Sequence, residues 1–179
     1  MDPVTKETLT FQLDKAKLKE AELRDGHYLL RTNLLAELQE VVADCRLYAD
    51  SRGCYINISD DVDVTLRANR ELLRRAVENV VRNAIRYTPR GATVDVRTES
   101  AGEWVRISVR DSGPGVPEEL LPKIFQPFFR VDDSRDSSTG GVGLGLAIAY
   151  RAVSVHHGRV WAQNLNPGLN VWIELPVAA

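Results

Sequence analysis

Two glycine-rich turns carry the residues whose types and order suggest chemistry. The first is DSGPG, residues 111–115, which directly follows an alternating apolar run. An aspartate in that place accepts hydrogen bonds, and an exocyclic amine such as that of adenine is a suitable donor. The alternative is that Asp111 only caps a turn. Gly113 and Gly115 allow backbone conformations that are closed to other residues.

The second glycine-rich turn, GGVGLGLA at residues 140–147, opens directly into an apolar helical pattern. The free N–H groups and the positive dipole end of such a helix N-terminus suit a phosphate chain. The segment is not a Walker loop, because no Gly-Lys-Ser/Thr is present, and no strand leads into it as the dinucleotide fingerprint requires. Alone, the pattern is not specific.

The segment between the two turns begins with IFQPFFR, residues 124–130, and continues into a polar stretch. Its aromatic residues are suited to anchor the ends of a lid, from which Arg130 could reach a terminal phosphate. The alternative is an ordinary surface loop with aromatic anchors.

Asn79 and Asn83 lie four residues apart at the edge of a broad apolar helix face in residues 71–89, and Arg86 falls near the same stripe. Asparagine is a mediocre helix former, so the pair needs an explanation. One is a solvated helix edge. The other is a carboxamide oxygen on a hard cation such as Mg²⁺, with a cationic side chain near phosphates.

The elements that must position these residues follow from periodicity. Helices are predicted at residues 1–25, 33–50, 69–87, 117–125 and 144–157, with Asn33 and Asn69 as N-caps. Strands are predicted at residues 27–32, 54–59, 63–68, 92–99, 103–111, 159–164 and 170–176. Helices alternating with mostly antiparallel strand pairs predict an α/β two-layer sandwich, with helices on one face of a single sheet.

Composition excludes several classes of protein. The 179 residues carry a net charge of −2 and 44% hydrophobic residues, which fits one globular domain with a short appendage. No basic patch points to nucleic acid, and no apolar run approaches the roughly 18 residues of a membrane span, so no membrane contact is expected. The N-terminus lacks a signal peptide. Cys45 and Cys54 fit reduced thiols of a cytoplasmic protein.

Together, four segments resemble the sequence boxes of the catalytic and ATP-binding domain of sensor histidine kinases, within the superfamily of gyrase B, Hsp90 and MutL ATPases. Residues 78–89 resemble the N box of that family, and residues 111–115 resemble its G1 box. Residues 124–130 resemble its F box, and residues 140–148 resemble its G2 box. The resemblance covers residues 27–176. It implies a Bergerat-type ATP-binding fold, a mixed five-stranded sheet with three helices on one face and a short N-terminal helix.

The resemblance also implies a domain division. Residues 1–26 would be an N-terminal helical segment, either the end of a dimerisation hairpin or residues added to the protein. Residues 27–179 would be the catalytic domain. The parent protein of such a domain is commonly anchored in the inner membrane, with this domain in the cytoplasm.

Roles for individual residues follow from the same resemblance. Asn83 would coordinate Mg²⁺, with Asn79 supporting the phosphates or the metal. Glu78 would help activate the acceptor histidine. Arg86, where many members carry lysine, would contact a phosphate, and Arg130 the γ-phosphate.

The resemblance further assigns the nucleotide's surroundings. Tyr87 would lie against the adenine or ribose. Asp111 would bind the adenine amino group. Gly113 and Gly115 would form the nucleotide-binding turn that follows it, and Gly115 would let the base approach. The phosphates would lie against Gly141, Gly143, Leu144 and Gly145.

The acceptor motif of these kinases is absent from the sequence. The three histidines are His27, His156 and His157, and HYLLRTN at His27 lacks the glutamate of that motif. We therefore expect the γ-phosphate of Mg-ATP to pass to a histidine on a dimerisation domain not contained in this chain, and indirectly to a response regulator. Alternatives are an anti-sigma-type serine kinase or ATPase switch, and a non-catalytic nucleotide-dependent docking module.

Overall fold

The computed structural model describes residues 30–60, 62, 64–131 and 142–177. The predicted N-terminal helical segment and Gly141 lie outside the described residues. The helices are α1 Leu34–Arg52, α2 Arg70–Tyr87 and α3 Gly145–Val155, and a 3₁₀ helix covers Glu118–Lys123. The strands are β1 Leu30–Asn33, β2 Tyr55–Asp60, β3 Thr65–Ala68, β4 Thr93–Ala101, β5 Trp104–Arg110, β6 Arg159–Asn164 and β7 Leu169–Pro176.

Five strands form one mixed sheet in the order β2-β4-β5-β7-β6. β2 and β4 are parallel because α2 lies in the connection between them, and the other pairs are antiparallel. The described helices and this sheet confirm the predicted two-layer architecture. β1 and β3 pair antiparallel in a separate two-stranded sheet, which the sequence pattern did not predict.

Asparagine side chains begin the first two helices as predicted. Asn33 Oδ1 accepts a hydrogen bond from the N–H of Ala36, and Asn69 Oδ1 accepts one from Leu72, both at 3.1 Å. Each bond satisfies an N–H group that has no partner within its own helix. The caps therefore fix where α1 and α2 start.

The core lies between the helices and one face of the sheet. On β5, Val105, Ile107 and Val109 are buried, as their alternation predicts. The apolar face of α2 is buried against this layer, including Val77 and Val81. Because the apolar face of α2 packs into the core, the neighbouring stripe with Asn79 and Asn83 lies at the edge of the core.

The third helix is shorter than predicted. Residues 144–157 were expected to be helical, but α3 begins at Gly145 and ends at Val155, followed by His156 as C-cap. His157 has a φ of 57°, which is incompatible with a continued helix. In the described residues no helix is both long and apolar enough to cross a membrane.

Candidate active site

A cavity of about 570 Å³ opens between α2, the start of α3, the turn after β5 and the segment around Phe129. Its polar lining combines one carboxylate with carboxamides and guanidinium groups, and the remaining wall is mostly apolar. The lining residues that the sequence had singled out are Asn79, Asn83, Arg86, Tyr87, Asp111, Gly115, Arg130, Gly143, Leu144 and Gly145. The fold thus brings together residues from all four sequence boxes.

Asp111 lines the cavity and has only 3% of its surface exposed. Its Oδ1 accepts hydrogen bonds from the N–H groups of Gly113 at 2.8 Å and Leu169 at 3.0 Å. Within the described residues no donor faces Oδ2, so one carboxylate oxygen is left for a ligand. Burial raises the pKa of Asp111 above its ordinary value of 3.8, and the two backbone bonds and Arg110 oppose the rise.

The backbone around Asp111 is held by the start of β7. The N–H of Asp111 donates to the carbonyl of Leu169 at 2.9 Å. Gly168 has a φ of 96°, and a Cβ there would lie 1.8 Å from the carbonyl oxygen of Asp111. Only glycine fits this position, because the two backbones touch.

The predicted glycines Gly113 and Gly115 are needed for contacts within the protein. A Cβ at Gly113 would lie 2.7 Å from the carbonyl oxygen of Tyr87, and one at Gly115 would lie 2.8 Å from Oδ1 of Asn164. Gly113 is buried and does not line the cavity, whereas Gly115 does line it. The glycines allow the G1 turn to pack closely against α2 and β6.

The polar stripe of α2 forms the side of the cavity that faces α3. Asn79 Nδ2 donates to the carbonyl of Arg75 at 2.7 Å, and a Cβ on Gly145 would lie 3.1 Å from Asn79 Oδ1. Asn83 and Arg86 lie further along the same wall. The guanidinium of Arg86 lies 5.4 Å from the centre of the Tyr87 ring. Carboxamide oxygens and a cation therefore line one wall.

The opposite wall comes from the segment around Phe128 and Phe129 and from the start of α3. The N–H of Phe128 donates to the carbonyl of Gly143 at 2.9 Å. Gly143 has a φ of 77°, and a Cβ there would lie 2.9 Å from the carbonyl oxygen of Phe129. This contact places Arg130 on the cavity surface next to the α3 N-terminus.

Glu78 is the one described residue with a predicted catalytic role that does not line the cavity. Its carboxylate pairs with Arg82 at 3.3 Å, one turn along α2. Arg82 does line the cavity, and its guanidinium lies 5.1 Å from the centre of the Tyr48 ring. Sequence reasoning missed Arg82 and Tyr48, since nothing in the local pattern predicts that α1 reaches the site.

The donor set bears on whether a divalent cation fits the cavity. No group of three or more His, Cys, Asp or Glu side chains able to hold a metal ion occurs among the described residues. The carboxamide oxygens of Asn79 and Asn83 are hard ligands of the kind Mg²⁺ accepts, and Mg²⁺ commonly completes its shell with water and phosphate oxygens. The residues present therefore fit a cation that arrives with a phosphate chain.

The sequence matches the family of histidine kinase-, DNA gyrase B-, and HSP90-like ATPases over residues 68–179. This stretch is more than half of the chain and contains every predicted site residue. The chain belongs to this family. Its fold and similarities define it further as the ATP-binding catalytic domain of a sensor histidine kinase.

Three similar proteins illustrate the relationship. Sensor protein PfeS of Pseudomonas aeruginosa is 44% identical over 118 residues, which is 66% of this chain and 26% of PfeS. The catalytic domain of histidine kinase ThkA has a TM-score of 0.74 and 30% identity, covering 84% of this chain and 98% of that domain. Full-length ShkA in complex with AMPPNP has a TM-score of 0.72 and 29% identity, covering 84% of this chain and 31% of ShkA. The chain spans about a quarter of the length of PfeS.

Proposed function

We propose that the cavity binds Mg-ATP and that the domain transfers the γ-phosphate to a histidine on a helical dimerisation domain of the parent kinase. The observation that carries this proposal is the buried Asp111 in the cavity lining, whose Oδ2 accepts no hydrogen bond from the described residues. A buried acceptor of this kind favours a ligand that brings a matched donor. The similar structure of full-length ShkA is a complex with AMPPNP, which supports the ligand class.

The base end of the site is assigned to Asp111. Its Oδ2 accepts from the exocyclic amine of adenine, while Oδ1 is held by Gly113 and Leu169. Gly115 and Tyr87 line the same cavity and are assigned to the surroundings of the base. A base without the amine would leave the carboxylate buried and unpaired, which disfavours its binding.

The phosphate end is assigned to the rim between α2 and α3. Asn83, supported by Asn79, would hold Mg²⁺, which supplies neutralisation of phosphate charge. Arg86 and Arg130 line opposite walls of the cavity. Their positive charges would stabilise the negative charge of the phosphate chain of the nucleotide. Gly143, Leu144 and Gly145 present the N-terminus of α3 to the phosphates, and Gly141 is proposed to extend this contact.

The chemistry of these residues is positioning and charge stabilisation. Glu78 does not line the cavity, but 34% of its side-chain surface is exposed, which leaves it accessible to an acceptor histidine. Its partner Arg82 restrains the carboxylate within one helical turn. Glu78 is assigned the removal of the proton from the attacking imidazole. A response regulator would be the later, indirect partner.

The direct test is calorimetric titration of ADP and a non-hydrolysable ATP analogue, with Mg²⁺ and with EDTA. Asp111→Asn removes the charge but keeps the shape, and we expect it to weaken adenine nucleotide binding by at least about tenfold. Glu119→Gln, which makes the same chemical change at an exposed position of the 3₁₀ helix, should bind like the wild-type chain. Equal binding by the Asp111 and Glu119 variants would refute the base assignment.

The metal assignment has its own pair of variants. Nucleotide affinity in the presence of Mg²⁺ is compared with nucleotide affinity in the presence of EDTA. Asn83→Ala should abolish the difference between the two, whereas Asn57→Ala, at an exposed position of β2, should preserve it. Phosphotransfer is measured with labelled ATP and the dimerisation domain of the parent kinase. A label that is stable in acid but lost in alkali would indicate phosphoserine, and the serine kinase alternative would then replace the proposal.

A further inference from the structure

The side chain of Asn164, the last residue of β6, is bonded to the residues that directly follow the G1 box. Its Oδ1 accepts a hydrogen bond from the N–H of Val116 at 2.9 Å. Its Nδ2 donates to the carbonyl of Val116 at 2.6 Å and to the carboxylate of Glu118 at 2.9 Å. A backbone N–H can only donate and a carbonyl can only accept, so these bonds fix the orientation of the carboxamide.

The segment that Asn164 holds is part of the cavity wall. Pro114, Gly115 and Val116 line the cavity and belong to no helix or strand. Their backbone makes no other hydrogen bond within the part of the chain that the structure describes. The carboxamide of Asn164 therefore bonds Val116 as a neighbouring strand would, with one donor and one acceptor.

β6 and β7 form a hairpin, and β7 is bonded to Asp111. We call Asp111 together with residues 115–116 the Asp111 corner. Asn164 and Leu169 are directly paired between β6 and β7. Leu169 accepts from the N–H of Asp111 at 2.9 Å and donates to its Oδ1 at 3.0 Å. One end of one hairpin therefore sets the separation between the Asp111 carboxylate and the backbone of residues 115–116.

The contact between Asn164 and Gly115 is close enough to require glycine. A Cβ at Gly115 would lie 2.8 Å from Asn164 Oδ1, and Gly115 has a φ of 78°. The missing Cβ thus faces β6. The position of the wall depends on the carboxamide that it touches.

We propose that Asn164 is a positioning residue for the base of the bound nucleotide. It holds the backbone of residues 115–116 at the separation from Asp111 that an adenine ring requires. The inference rests on the proposed function, since it assumes that the base lies at the Asp111 end. Asn164 then affects recognition of the base and leaves recognition of the phosphates unchanged.

The test compares a ligand that carries the base with one that lacks it. Mg-ADP and Mg-tripolyphosphate are measured as competitors of a fluorescent ATP analogue. Asn164→Ala removes all three hydrogen bonds, and Asn164→Asp removes the two donors and adds a charge beside Glu118. For both variants we expect the affinity for Mg-ADP to fall about tenfold, with the affinity for Mg-tripolyphosphate unchanged.

The control is Gln163→Glu, which adds the same negative charge at the adjacent exposed position of β6 and should change neither affinity. All measurements are made below the thermal transition of every variant. Unchanged Mg-ADP affinity in both Asn164 variants would overturn the assignment, and so would an equal loss for both ligands. A wild-type chain that binds neither ADP nor ATP would instead overturn the proposed function and the inference with it.

Discussion

His156, the residue that ends α3, accepts a hydrogen bond at Nε2 from the backbone N–H of Asn69 at 2.9 Å. Because a backbone N–H can only donate, the ring proton lies on Nδ1, which donates to the carbonyl of Ala152 at 2.7 Å. The ring is buried. The C-terminal end of α3, whose N-terminal residues line the cavity, is thereby joined to the start of α2, which carries Asn79 and Asn83.

We expect His156→Phe to lower the free energy of unfolding by about 2 kcal/mol, because the N–H of Asn69 and the carbonyl of Ala152 lose this partner in a buried place. Chemical denaturation measures the change. His157→Phe is the matched control, since His157 is the exposed neighbour with a positive φ of 57°. Equal effects of the two substitutions would show that the contact between α3 and Asn69 does not contribute.

Gly168→Ala should destabilise the protein by about 3 kcal/mol or more, because the substitution combines a positive φ with a collision against a fixed backbone. The φ of Gly168 is 96° and the Cβ would meet the carbonyl of Asp111 at 1.8 Å. Gly102→Ala shares the positive φ, at 69°, but meets nothing within 4 Å. Its cost should be only about 1 kcal/mol. Urea denaturation of both variants separates the collision from the conformational cost.

Asp111→Asn should weaken nucleotide binding while raising stability at neutral pH. The pKa of Asp111 in the folded protein lies above its ordinary value of 3.8 because of burial. Protonation therefore favours the folded state, and this contribution is lost as the pH rises through the raised pKa. The asparagine variant has no ionisable group at this position, so it does not lose this contribution to stability. Its gain in the free energy of unfolding over the wild-type protein should therefore shrink as the pH falls towards 3.8. Thermal unfolding across this range checks the sign.

The same raised pKa predicts a pH dependence of ADP affinity. Protonation of Asp111 turns the acceptor that faces the ligand into a hydroxyl, so affinity should decline with falling pH, starting at a pH above the ordinary carboxyl value of 3.8. Asp111→Asn should lack this part of the profile. A wild-type profile that matches the variant's would contradict the assignment of Asp111 to the base.

Cys45 should resist alkylation in the folded protein. It is a free thiol with 1% exposure, and burial, with Glu78 nearby, raises its pKa from 9.0 to about 11. That rise lowers the thiolate fraction about 100-fold near pH 8, in addition to the steric protection. Iodoacetamide labelling followed by mass spectrometry should show modification only after unfolding in denaturant. Rapid labelling of Cys45 under native conditions would contradict the buried position of this face of α1.

Local rules predicted most of the secondary structure. Asn33 and Asn69 were correctly predicted as N-caps because the capping bond reaches only three residues along the chain. The antiparallel pairing of Leu30 with Ala68 was not predicted, since it joins short strands on either side of a whole helix. Pairing of this kind depends on the tertiary packing, and the local pattern carries little information about it.

The candidate site was predicted with similar strengths and gaps. Asp111, Asn79 and Asn83, which the motifs singled out, line one cavity, and their predicted roles stay predictions. Leu169 and Asn164 were missed because they act through a backbone N–H and a single carboxamide, which no short motif distinguishes. The structure adds a second reason for Gly115, because a Cβ there would lie 2.8 Å from Oδ1 of Asn164, and its predicted role in the approach of a base stays a prediction.

The hairpin of β6 and β7 bonds both Asp111 and Val116. Since these partners are distant in the sequence, the ribosome adds the hairpin long after it has added Asp111. The helix with Asn79 and Asn83 emerges well before Asn164 and Leu169 do. A nascent chain stopped before residue 164 would already contain the asparagine pair and Asp111, yet it would lack the contacts that set the base corner. Nucleotide therefore cannot stabilise the early stages of folding through its contacts with Asp111, because these contacts need the C-terminal hairpin to be in place.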